Sequence, residues 1–78
     1  MSRETAYDYL KAQLELPDYF GRNLDALRDS LTDLPETRLI IKSPHYILTG
    51  MGEYGARLLN VLHDAAEESG RLEIKYKL

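Results

Sequence analysis

Two stretches of this chain read as β-strand, and a long amphipathic helix separates them. Leu72-Glu73-Ile74-Lys75-Tyr76-Lys77-Leu78 alternates apolar and polar residues without a break, the pattern of a strand with one buried face. Arg38-Leu39-Ile40-Ile41-Lys42 is rich in isoleucine and bounded by Thr37 and Ser43-Pro44, so it reads as a second, short strand. Between them, Tyr54, Leu58, Leu59, Val61, Leu62, Ala65 and Ala66 line one side of residues 53–69, with Arg57, Asp64, Glu67 and Glu68 on the other. Gly70 stands where a helix C-cap belongs. A strand, a crossover helix and a second strand make a parallel βαβ unit. In a chain of 78 residues this leaves space for one small α/β domain over 1–78, a parallel sheet packed against helices. Such a domain buries only roughly 60% of its unfolded surface, so its core is marginal.

The first half supplies two more helices. Ser2 can cap a helix over residues 3–14, with Glu4 in its first turn and Ala6, Tyr9, Leu10, Gln13 and Leu14 on one side. Pro17 ends it. Asn23 is a good N-cap for a second helix ending near Pro35, with Leu24, Leu27, Leu31 and Leu34 marking one face. Residues 44–55 are ambiguous. Pro44 can open a short helix, Tyr46-Ile47-Leu48-Thr49 can be extended, and Gly50, Gly52 and Gly55 mark the later part as a loop. Two convincing strands make a marginal sheet with open edges. Either residues 44–49 add a third strand or the chain self-associates weakly through a sheet edge.

Several function classes fall away on composition. Without cysteine the chain has no disulfide, thiolate metal site or cysteine nucleophile, and a reducing cytoplasmic setting is expected. Two histidines are too few for a histidine-built metal site. No apolar run approaches a membrane span, and the first residues lack the apolar core of a secretory signal. A net charge of −3 argues against nucleic-acid binding through a basic face. That charge is concentrated: residues 17–36 hold Asp18, Asp25, Asp29, Asp33 and Glu36 against Arg22 and Arg28, while acids and bases cancel elsewhere.

Asp25, Asp29 and Asp33 recur every four residues, opposite the leucines. Like charges at this spacing cost an isolated helix about 0.2–0.5 kcal/mol per pair. Asp25 is helped by the helix dipole, and Arg22 and Arg28 are positioned to offset the others locally. A solvated face is one reading of this row. A surface prepared for a cationic partner is the other. Tyr19 and Phe20 precede the helix. Phe20 reads as core cover, whereas Tyr19 fits equally a core cover and an aromatic binding anchor.

Gly50-Met51-Gly52-Glu53-Tyr54-Gly55 fits the G-x-G-x-x-G pattern of a dinucleotide loop, with Glu73 about twenty residues on. A nucleotide-binding fragment is therefore a second class to weigh against an interaction protein. Against it, no clear strand runs into the glycines, and Glu73 opens its strand instead of closing it. Catalysis has little support. Exposed carboxylates are not driven to separate pKa values, His45 and His63 read as solvated, and Ser30 and Ser43 lack a nucleophile elbow.

The segment LPDYFGRNLDALRDSL, residues 16–31, resembles the barstar family of small intracellular inhibitors of microbial ribonucleases. The family pattern L-P-x-Y-Y/F-G-x-N-L-D-A-L-x-D-x-L is met at every fixed position. The order of elements agrees over the rest of the chain. The resemblance implies a non-catalytic protein, without cofactor or metal, whose loop and second helix plug a basic nuclease active site. By motif position, Asp29 is the principal phosphate mimic and Asp25 its companion. Tyr19 would stack near the nuclease's catalytic histidine, and Gly21, Asn23 and Leu24 would supply backbone and edge contacts. Asp33 extends the acidic row. Three features depart from the family. The chain lacks the usual first strand. Arg28 replaces a tryptophan on the binding face. The last helix offers Ala65, near Asp64 and Glu68, where the archetype presents a glutamate. A barstar-like module with a non-ribonuclease partner is the alternative these changes leave open.

Overall fold

The computed structural model describes residues 2–17, 20–42 and 44–77, with the backbone alone at position 48. Helix α1 spans Arg3–Leu14, α2 Leu24–Thr32, α3 His45–Met51 and α4 Glu53–Ser69; strand β1 spans Thr37–Lys42 and β2 Leu72–Lys77. The two strands pair in parallel, Thr37 opposite Leu72 through Lys42 opposite Lys77. The expected βαβ unit is present, and its crossover contains two helices instead of one.

Local chemistry sets the helix ends. The Ser2 hydroxyl accepts from the Thr5 amide at 3.2 Å, and the Asn23 side chain accepts from the Ala26 amide at 2.8 Å. Gly70, at φ 67°, turns α4 back toward β2. Helix α1 ends on Glu15 at φ 54°, a left-handed conformation that glycine adopts more readily.

The core lies between one face of the sheet and the helices. Tyr7, Leu27, Leu31, Leu39, Ile41, Leu58 and Leu62 are almost fully enclosed. On α1 the buried side is Ala6, Tyr7, Leu10 and Leu14; Gln13 is exposed and Tyr9 only partly covered. The expected stripe is thus rotated toward Tyr7. Its hydroxyl meets that of Tyr54 from α4, and its ring meets the edge of Phe20 at 5.9 Å. A phenol can be buried here because its polar end has a partner. Tyr9 instead donates its hydroxyl to the Ile40 carbonyl at 2.8 Å.

Two expectations are corrected. Residues 45–51 are helical, which removes the third strand: the Ile47 amide bonds the Pro44 carbonyl at 3.0 Å, and Ile47 is buried. Gly50 and Gly55 lie inside α3 and α4, so this stretch is a helical corner and not a loop. Burial along β2 also fades from Leu72 to Tyr76, which is 42% exposed. Among the described residues the strand has a neighbour on one side only, and Leu78 lies outside them.

Candidate partner-binding face

The residues leading into α2 are fastened to α1. Phe20 drops into the core beside Tyr7, and its amide bonds the Pro17 carbonyl at 3.0 Å. The Asn23 amide bonds the Gly21 carbonyl, also at 3.0 Å. A side chain at Gly21 would meet the Ala26 methyl at 3.2 Å, so glycine keeps this approach close. Arg22 gives both Nε and Nη2 to Oδ1 of Asp8, at 3.1 and 2.6 Å. This pairing corrects the expectation that Arg22 offsets the acidic row: its charge is held on α1. Asp8 lies fourteen positions earlier, so no local sequence signal announces the pair.

Helix α2 buries Leu27 and Leu31 and packs on α4. Asp25, Asp29 and Asp33 are all exposed, and among the described residues none makes an ion pair. Four residues turn a helix by about 400°, so each successive aspartate is displaced by about 40°. The row therefore crosses the open face obliquely. Asp25 borders a groove toward α4 with Arg28, Arg57, Asn60 and Asp64. Asp29 and Asp33 border another with Glu15, Leu16 and Pro17. Asp33 is the C-cap, and no basic residue stands in the last turn to complement the negative end of the helix.

Arg28 is exposed and makes no ion pair among the described residues. It lines the α2–α4 groove along its length, beside Asp25 at one end and beside Thr32, Ala65 and Glu68 at the other. Asn23, Leu24 and Asp25 adjoin one another at the start of α2, Arg28 follows on the α4 side, Asp29 and Asp33 lie on the side of residues 15–17, and Gly21 is exposed just before the helix. Asp18 and Tyr19, singled out from the sequence, lie outside the described residues.

The glycine pattern has a different role. Gly55 is buried in α4, where an added Cβ would come within 2.4 Å of the Ile47 carbonyl oxygen. It permits α3 and α4 to touch. Strand β1 ends at Lys42 and α3 intervenes before Gly52, so among the described residues no strand feeds this motif. The dinucleotide-loop reading is set aside on that geometry.

The sequence matches the family described as Barstar (barnase inhibitor) over residues 1–78. The chain belongs to the Barstar family. It is 47% identical over 68 residues to a protein of Bacillus subtilis (strain 168) named "Putative ribonuclease inhibitor YrdF", covering 83% of this chain and 74% of that protein. No solved structure matches it. Within the Barstar family frame, the acidic row occupies the motif's own helix. Ala65, on the last helix, is buried, while Asp64 and Glu68 beside it are exposed.

Among the described residues no group of three histidines or carboxylates could hold a metal ion, and no helix is long and apolar enough to cross a membrane.

Proposed function

We propose that this Barstar-family chain is a non-catalytic inhibitor of a microbial ribonuclease and closes the enzyme's active site with the loop 17–22 and the exposed side of α2. A nuclease site built to hold RNA phosphates is cationic. Asp29 and Asp25 would stand in for those phosphates, with Asp33 extending the field. Gly21, Asn23 and Leu24 would form the close-fitting edge, and Tyr19 would be the aromatic contact that the family motif assigns. The observation that carries this reading is the row itself: three exposed aspartates along one short helix and its C-cap, with Arg22 withdrawn to Asp8. Self-repulsion of this kind costs stability and is recovered when a cationic partner covers the row. Opposite charge also steers association and sets register.

Arg28 favours a second reading, a partner other than a ribonuclease, because it sets a cation among the acids. Calorimetry against a panel of purified microbial ribonucleases decides between them. Tight one-to-one binding with loss of nuclease activity supports inhibition. Absence of binding to every enzyme in the panel favours the second reading.

A further inference from the structure

We propose that the outer edge of β2 pairs with the same edge of a second copy of this chain, antiparallel and centred on Ile74. Which backbone groups point outward follows from the ladder. The Thr37 amide bonds the Arg71 carbonyl at 2.8 Å, and Thr37 lies opposite Leu72. In a parallel pair the residues that bond inward alternate with those that bond outward. Glu73, Lys75 and Lys77 therefore turn their backbone groups to β1. Leu72, Ile74 and Tyr76 present theirs to the open side. On β1 the outward residues are Arg38, Ile40 and Lys42.

The two edges differ. Tyr9 caps the Ile40 carbonyl on the β1 side at 2.8 Å. No side chain among the described residues hydrogen-bonds the outward backbone groups of β2. Above this edge stands α4, whose His63 stacks on Tyr76 and bonds its hydroxyl. Ile74 is partly buried and Tyr76 is 42% exposed, so apolar surface remains to be covered beside the unpaired backbone.

The side chains select a second copy and one register. With Ile74 opposite its own symmetry mate, Leu72 faces Tyr76 of the other chain and Glu73 faces Lys75. Every strand position from 72 to 76 then meets a favourable cross-strand neighbour. The cost of this register falls at the two ends of the ladder, where Lys77 lies opposite Arg71; Arg71 precedes the strand, and its guanidinium is held on the Thr32 carbonyl at 3.1 Å. The neighbouring registers fail. Centring on Glu73 or Lys75 sets each against its own copy, and centring on Tyr76 sets Lys75 against Lys77; like charges directly opposite destabilise. The two-fold closes the pair and leaves the Tyr9-capped edges outside. Helix α2 packs on α4, so its acidic row stays open in the dimer.

Sedimentation velocity on the whole chain, up to high micromolar concentration, tests this. The native protein should dimerise as concentration rises. Glu73→Lys and Lys75→Glu should each shift it to monomer, and the double exchange should restore the dimer, because the two positions face each other across the axis. A native chain that stays monomeric overturns the proposal, and so does a dimer indifferent to the single exchanges. Amide exchange on the unaltered protein provides a readout free of any folding defect. Protection at Leu72, Ile74 and Tyr76 should rise with concentration; a dimer formed without it pairs elsewhere, and the proposal fails.

Discussion

The two most patterned segments of this protein, residues 16–33 and residues 50–55, end in opposite circumstances. The first turns its charges outward. Phe20, Leu27 and Leu31 hold it on the core while Asp25, Asp29 and Asp33 face solvent. The second turns inward. Gly55 is buried against the Ile47 carbonyl, and its lack of a side chain is what lets two helices meet. Both resemble ligand motifs on paper. What separates them is where the special residues point: the aspartates stand exposed at the surface, whereas Gly55 is enclosed in a contact between two helices.

Truncating the central aspartate tests whether the acidic row is a contact surface. Asp29→Ala should weaken binding to the target ribonuclease by about 2–5 kcal/mol, the range for truncating one partner of a buried charge pair, for which barstar's own complex is a reference case. The melting temperature should hardly move, because Asp29 is exposed on the side away from the leucines. Lost stability with unchanged affinity in calorimetry would make the row structural.

Gly55→Ala should do the reverse. Overpacking against the Ile47 backbone should cost about 1–3 kcal/mol in denaturant unfolding and leave affinity per folded molecule unchanged. Saturating ATP or NAD should not raise the melting temperature of the native protein. A rise that disappears in Gly52→Val would return the glycine segment to the ligand class.

Tyr7 sharpens the contrast from inside the core. Burial, reinforced by the Tyr54 hydroxyl, holds its phenol above the ordinary value. A raised folded pKa means the unfolded chain releases this proton first. The stabilisation is therefore complete below about pH 10 and is lost as pH rises further. Burial acts on Tyr76 in the same direction. Tyr7→Phe should cost about 0.5–1.5 kcal/mol at neutral pH, since Tyr54 loses its partner. It should also flatten the alkaline decline in stability, measured by unfolding at successive pH values.

The smallest effect lies at the end of α2. Asp33→Asn removes a negative charge from the negative end of the helix dipole and should stabilise the fold by about 0.3–1 kcal/mol. The same change should slow association with a basic partner, most clearly at low salt in stopped-flow measurements. Faster or unchanged association would place Asp33 outside the electrostatic field of the site.

Elements whose signals are local are legible in the residues alone. The caps at Ser2, Asn23 and Gly70, the four-residue spacing of the aspartates and the alternation of β2 depend on neighbours a few positions away. Two strands around a helix also sufficed to require parallel pairing. The density of the 16–31 motif was enough to point to the family. The rest came from packing between distant parts of the chain. Tyr7, and not Tyr9 or Gln13, became the centre of α1 because Tyr54, far along the chain, meets its hydroxyl. Arg22 left the acidic row for Asp8. Residues 45–51 became helix because Ile47 is buried where Gly55 opens space for its backbone. Each outcome rests on a contact between residues distant in sequence, and the energy of such a contact exists only once the chain has brought them together.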